Sequence, residues 1–271
     1  MDTVLESTEL RKQMSVHRAR GQRIGFVPTM GFLHEGHLSL MRQVRLECDH
    51  VVVSIYVNPL QFGPNEDLET YPRDLEGDAS KCASVGVDTL FLPPSLYDDN
   101  HCTAVSVKGL TDSLCGATRP GHFDGVTTVV ARLFGIVQPH VAVFGEKDYQ
   151  QLAVIRRMVR DLSMNIEIIG GPLVRDTDGL ALSSRNKYLH TAARSRALTL
   201  HRALDQIREH TSSSSETRLM AARKILDVDK IDYLDVVDPL TLEPIQQITG
   251  PARALVAAWI GTTRLIDNMA I

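Results

Sequence analysis

Short apolar, β-rich runs alternate with stretches of helical periodicity along the first two-thirds of the chain. Ile24 to Pro28, Val51 to Val57, Thr89 to Leu92, Val141 to Phe144 and Asn165 to Ile169 read as strands. Between and after them, the segments near 35–47, 74–85, 123–137 and 148–161 carry apolar residues at helical spacing. Strands that alternate with helices build a mainly parallel sheet covered on both faces. Residues 1–172 are therefore expected to form a doubly wound, Rossmann-like α/β domain. The run VVVSIYV is almost wholly apolar and empties into Asn58-Pro59, as a central parallel strand does at its carboxyl end. Ligands of open α/β sheets bind just beyond such ends, where strand order reverses, so the loops after strands are the places to search.

Past Gly171-Pro172 the texture changes. A polar loop leads to a helix near 191–209, the serine-rich stretch Thr211 to Ser215, and a further helix. Three strand-like runs follow, Tyr233 to Val237, Ala254 to Ile260 and Arg264 to Asn268, with no long helix between them. That succession predicts a small antiparallel sheet, and residues 173–271 are expected to form a second, smaller α+β domain closing over a nucleotide site. The serine run reads as a surface loop, too short to separate domains. No internal repeat is present.

Composition narrows the classes of function. With 29 basic and 33 acidic side chains in 271 residues, the net charge is −4 and neither sign gathers in blocks. A nucleic-acid or membrane-surface partner needs a basic face, so neither is expected, and any phosphate must be held by a local site. The opening MDTVLESTELRKQM resembles neither a secretory signal nor a transit peptide, and no stretch approaches the roughly 18 apolar residues of a membrane span. A soluble, cytoplasmic protein is the expectation. Cys48, Cys82, Cys102 and Cys115 lie far apart with no C-x-x-C pair, so reduced thiols without zinc or redox chemistry are expected.

The segment VPTMGFLHEGHLSLM, residues 27–41, carries the most chemistry. A strand ends at Pro28, Gly31 allows a tight turn, and His34 and His37 follow three apart at the opening of a helix, on one face. The helix N-terminus directs free N–H groups and partial positive charge to the same place, which makes a polyphosphate pocket. Imidazole N–H groups there can stabilise charge developing on phosphoryl oxygens. An isolated H-x-x-H is more often a cap or surface feature, and a zinc site is disfavoured because the H-E-x-x-H order and a third ligand are missing.

Placed directly after a first strand, Gly31, Leu33, His34, Gly36 and His37 match the H-x-G-H signature of a nucleotidyltransferase superfamily, whose members join a substrate to AMP and release pyrophosphate. PTMGFLHEGH, SIYVNPLQFGPNEDLETYPRD, RPGHFDGVTTVV, FGEKDYQQL and RDTDGLALSSRNKYL, in this order, resemble the pantothenate synthetase family. That resemblance covers residues from about 24 to about 190. It implies ATP-dependent condensation of pantoate with β-alanine through a pantoyl adenylate, releasing AMP and pyrophosphate.

By the same resemblance, His34, His37 and Lys147 are catalytic. The ATP site comprises Met30, Gly31, Phe32, Leu33, His34, Glu35, Gly36 and His37, then Gly145, Glu146, Lys147 and Asp148, then Val174, Leu182, Ser183, Ser184 and Arg185. Lys147 after a strand can reach phosphates as a point charge, and the hydroxyls and guanidinium of Ser183, Ser184 and Arg185 can hold them through charge-assisted bonds. Gln61 and Gln151 are implied to bind pantoate, with Gln61 also facing β-alanine, while Asn58, Arg119 and His122 support the same site. Without that context each has a plainer reading, as a cap or a surface side chain.

Mg²⁺ is expected to accompany ATP, with Asp78 as the candidate ligand among Asp74, Glu76 and Asp78; Gly77 stands where some relatives carry an acid. A homodimer is expected from the family alone. Two rivals remain at this level: another H-x-G-H nucleotidyltransferase that transfers AMP to a small metabolite and stops, and a nucleotide-sensing protein on a retained fold. The V-N-P-L-Q-F and G-E-K-D-Y-Q-Q motifs speak against the first, and the intact signature against the second.

Overall fold

The computed structural model describes every residue except Asn65. The chain divides into two compact units. One comprises Met1–Gly109, Arg119–Glu146 and Gln151–Pro172; the other comprises Leu110–Thr118, Lys147–Gln150 and Leu173–Ile271.

The first unit is built on six parallel strands: β1 (Asp2–Val4), β2 (Ile24–Thr29), β3 (His50–Ile55), β4 (Thr89–Phe91), β5 (Val141–Gly145) and β6 (Glu167–Gly171). Their order across the sheet is β1-β4-β3-β2-β5-β6. The chain therefore moves from β2 outward through β3 to β4 and returns to add β5 on the other side of β2. This reversal creates the switch point at the carboxyl ends of β2 and β5, the expected ligand crevice of such a sheet. β2 and β3 are buried along almost their whole length, as strands covered on both faces must be.

α2 (Glu35–Glu47) and α3 (Leu75–Ser84) cover one face. Met41, Val44 and Cys82 pack there with Val27, Val51, Val53 and Val143 in one apolar cluster. α1 (Ser7–Ala19) and α5 (His122–Val137) cover the other face, where Phe26 and Phe134 meet edge-on at 6.3 Å. β1 and α1 lie where the hydrophobic pattern predicted no element. β1 has three residues, and α1 buries only Leu10 and Met14 fully, too few apolar positions to stand out from a polar background.

The second unit holds α4 (Leu114–Thr118), α7 (Thr191–Glu209), α8 (Ser215–Arg223) and the strands β7 (Lys230–Val237), β8 (Arg253–Ile260) and β9 (Thr263–Ala270), an antiparallel sheet in that order. Leu200, Ala203, Leu204 and Ile207 of α7 pack on Leu234, Val236, Ala254 and Val256. The run Thr211 to Ser215, expected to be a loop, is partly a helix start. The Ser214 hydroxyl accepts from the Thr217 amide as N-cap of α8, and Ser215 is buried as its first residue. α6 (Tyr149–Asp161) follows β5 and carries residues of both units. All four cysteines are free, with Cys48, Cys82 and Cys115 buried. Among the described residues, no helix is long and apolar enough to cross a membrane.

Candidate active site

At the end of β2 the chain turns through Met30, Gly31, Phe32 and Leu33 into α2. Gly31 and Phe32 both adopt positive φ, +85° and +50°. The first suits glycine; the second is a strained position for a bulky residue and needs support from its surroundings. Asp78 of α3 supplies it. Its two oxygens accept from the backbone amides of Phe32 and Leu33, each at 2.7 Å, and the residue is 1% exposed. Three residues along the same helix, Lys81 donates to the Leu33 carbonyl at 3.0 Å and lies 3.8 Å from Asp78.

Asp78, the candidate magnesium ligand, thus gives one acceptor site on each oxygen to the loop amides. Nearby Asp74 caps α3 through the Gly77 amide at 3.1 Å. A side chain at Gly77 would meet that capping carboxylate at 2.1 Å, which suits the glycine found there. Among the described residues, no group of three or more His, Cys, Asp or Glu is placed to hold a metal ion.

His34 is the N-cap of α2, and His37 lies in its first turn. The rings sit with centroids 4.1 Å apart and 39° between planes. Nδ1 of His37 accepts from the His34 backbone N–H at 3.3 Å. A neutral imidazole that accepts at Nδ1 carries its proton at Nε2, so this contact selects the tautomer with Nε2–H as donor. Glu35, between Phe32 and His37 in the motif, turns instead to Arg42 in an exposed ion pair, whose hydrogen bond holds its carboxyl below the usual range. The structure thus joins Met30, Gly31, Phe32, Leu33, His34, Gly36 and His37 in one turn and directs the Glu35 carboxylate elsewhere.

Beyond β3, Pro59–Gln61 forms a short 3-10 turn capped by Asn58, which is 1% exposed. The Asn58 amide donates to Gln61 Oε1 at 3.1 Å and to the Gly125 carbonyl at 3.0 Å, while its oxygen accepts from Tyr97 at 2.9 Å. Gln61 also donates to Met30 Sδ at 3.1 Å, which brings the pantoate candidate beside the histidine turn. Asn58 is therefore engaged in placing Gln61. Burial pushes the Tyr97 hydroxyl up to about 12, so it stays a protonated donor.

Arg119 and His122, expected near substrate, also serve the Gln61 turn. Arg119 forms a bidentate pair with Glu66 at 2.6 and 2.7 Å and donates to His122 Nε2 at 2.9 Å. His122 Nδ1 in turn lies 2.8 Å from the Gln61 carbonyl, the geometry of a ring N–H donating to it. Burial raises the Glu66 carboxyl, but the Arg119 hydrogen bonds and charge outweigh it and hold the group below its ordinary range. Neither Glu66 nor Tyr97 was legible as part of this site, since each reaches its partners only across the fold. Gln151 is half-buried in the first turn of α6, while Gly145 ends β5 at the switch point and Glu146 begins the 3-10 turn that follows.

In the second unit, Lys147 and Asp148 form an ion pair at 3.6 Å, and the Lys147 carbonyl accepts from Asn268 at 2.9 Å. The neighbouring Gln150, buried, bonds the carbonyls of Leu110 and Ser113 and the amide of Cys115, all at 2.9 Å. The carbonyl of Val174 accepts from the Leu182 amide at 3.0 Å. Ser183 then caps the 3-10 turn Ser184–Tyr188 by accepting from the Arg185 amide at 3.3 Å. Arg175, one residue after Val174, anchors the strip to buried Asp267 through two bonds at 2.7 and 2.9 Å.

Comparisons with known proteins follow the same lines. The family model described as pantoate-beta-alanine ligase matches residues 2–270. The pantothenate synthetase of Syntrophobacter fumaroxidans is 52% identical over 96% of this chain and 95% of its own length. That of Moorella thermoacetica is 50% identical over 100% and 99%. Among solved structures, pantothenate synthetase from Thermus thermophilus superposes with a TM-score of 0.94 at 48% identity, covering 99% of both chains. Pantoate-beta-alanine ligase from Francisella tularensis, complexed with β-γ ATP and β-alanine, gives 0.82 at 36% identity over 99% and 97%.

Proposed function

The chain belongs to the pantoate-beta-alanine ligase family, and from that premise we propose how its residues divide the work. It is a ligase that joins pantoate to β-alanine as an amide with ATP as co-substrate. In the proposed first half-reaction, a pantoate carboxylate oxygen attacks the α-phosphorus of ATP, the α-β bridging bond breaks, and pyrophosphate leaves with its electron pair. The carboxylate is ionised at neutral pH and needs no general base. In the second, the β-alanine amine attacks the acyl carbon, loses a proton to solvent and expels AMP.

The observation that carries the reading is the histidine pair at the α2 N-terminus beside the β2–β5 switch point, with Nε2–H of His37 selected as donor. His34 and His37 stabilise the charge gathering on phosphoryl oxygens, aided by the helix dipole. Lys147 and the turn at Ser183, Ser184 and Arg185 bind phosphates. Gln61 and Gln151 bind pantoate, while Asn58, Arg119 and His122 hold Gln61 in place. Magnesium belongs to this proposal as a companion of the ATP phosphates, whose negative charge it would help to neutralise. Assembly as a homodimer and residence in the cytoplasm complete it, the former testable by sedimentation.

Pyrophosphate release by the purified protein, with pantoate and ATP and with or without β-alanine, tests the scheme. Sustained release with β-alanine, AMP and pantothenate as products, and a loss of about 10²–10³ in kcat for His37→Ala are expected. Release only with a different acceptor, or an undiminished His37→Ala enzyme, overturns it.

A further inference from the structure

We propose that Asp78 and Lys81 of α3 form a positioning clip that sets the catalytic turn by holding both polar ends of Leu33, the residue immediately before the His34 N-cap. The amide of Leu33 donates to Asp78 Oδ1 at 2.7 Å, and its carbonyl accepts from Lys81 Nζ at 3.0 Å. The second Asp78 oxygen takes the preceding amide, that of Phe32, at 2.7 Å. With N–H and C=O of one residue fixed from a single helix, its peptide planes cannot rotate independently of α3. The direction in which the chain enters α2, and with it the rings of His34 and His37, is then set by α3.

The energetics agree with a dedicated device. Phe32 lies at φ +50°, a strained conformation for a bulky residue that persists only where its surroundings impose it. Two successive amides converging on one carboxylate make a small anion-binding nest, here filled from within the protein. Gly31 is part of the fit, since a Cβ there would stand 2.9 Å from Ile55 and 3.1 Å from the Asp78 carboxylate. The carboxylate is 1% exposed, bonded to two amides and 3.8 Å from Lys81, so its negative charge is compensated from within the protein. An asparagine at this position keeps the volume but turns an amide N–H toward one of the two backbone N–H groups. One of these bonds becomes a repulsion, and the turn must tilt.

The inference rests on the proposed role of the two histidines, and the test separates the two. Asp78→Asn, Lys81→Met, His37→Ala and the double variants are compared for pantoate-dependent pyrophosphate release over a range of ATP and Mg²⁺ concentrations, with melting temperature recorded for each. Displacing a catalytic group by about 1 Å costs on the order of 100-fold. Asp78→Asn is therefore expected to lose about that factor in kcat while folded, with its Mg²⁺ requirement unchanged. In the His37→Ala background the same substitution should cost clearly less than in the unaltered enzyme, because one of the two rings it positions is already gone. Lys81→Met should show the same pattern more weakly, and it carries the test alone if Asp78→Asn fails to fold. A full, additive loss in the His37→Ala background shows a merely structural role and overturns the clip. So does wild-type kcat in the folded variants, or a raised Mg²⁺ requirement. Absence of pantoate-dependent turnover in the unaltered protein would instead sink the functional reading itself.

Discussion

Gly125 offers the sharpest test of how the fold places Gln61. It lies in α5, where a Cβ would stand 2.2 Å from the Leu60 carbonyl oxygen and 2.6 Å from the Gln61 amide nitrogen. These are backbone atoms with no rotamer to yield, and the approach is roughly 1 Å short of ordinary contact at 3.4 Å. Gly125→Ala must push the 3-10 turn away from α5 by about that distance. The shift also strains the Asn58 bond to the Gly125 carbonyl, now 3.0 Å, and the Asn58 bond to Gln61, now 3.1 Å. Overpacking of this kind costs about 1–3 kcal/mol, partly offset by up to about 1 kcal/mol of helix propensity gained on leaving glycine. A 1 Å displacement of a substrate-binding group costs on the order of 100-fold in kcat/KM. Gly135, exposed on the same helix with nothing within 4 Å of a built Cβ, is the control: Gly135→Ala should stabilise by up to about 1 kcal/mol and leave kcat/KM unchanged. Thermal melts and pantoate-dependent pyrophosphate release on both variants read the two quantities separately. If Gly125→Ala keeps kcat/KM within about twofold of the unaltered enzyme, the close approach of α5 does not set Gln61 and the reasoning fails.

The Arg119–Glu66 pair and His50 test the electrostatics. Arg119→Ala leaves a part-buried carboxylate without its partner; with the Glu66 side chain 25% exposed, the cost should fall below that of a fully buried charge, about 1–3 kcal/mol, with a raised KM for pantoate. Because the Glu66 carboxyl is held below 4.5 in the folded protein, its stabilisation is present above pH 4.5 and lost as pH falls through the lowered folded value. Denaturant titrations should find that acid limb flattened in Arg119→Ala, and an unchanged limb would contradict the assignment. His50, 9% exposed, is pushed below 6.5 first by burial and then by the His17 ring stacked at 3.8 Å, so the unfolded chain binds its proton more readily. Stability should be intact above pH 6.5 and decline as pH falls through the lowered value. His50→Gln should shrink that decline in melts across the same range, and an identical pH profile would assign it to other groups.

The amino-acid sequence by itself determined what depends on near neighbours. Apolar runs such as VVVSIYV, and the helical spacing that follows each strand, are local patterns, and they carried the parallel sheet, the smaller antiparallel sheet and most element positions. So did the turn that puts His34 and His37 at one helix start, because a strand end, a glycine and an N-terminal helical turn are all encoded within about a dozen residues. Only the tertiary structure decided what those groups bond to. Asp78 reaches the Leu33 amide across 45 residues of chain, Arg119 reaches Glu66 across 53, and Asn58 reaches the Gly125 carbonyl across 67. None of these separations has a period that a pattern could reveal. Asp78, Arg119 and Asn58 were thus legible as polar residues near the site, while their work, bracing the turns that present His37 and Gln61, was not. Buried polar groups must find partners, and which partner is in reach is settled when the sheet brings distant loops to one edge.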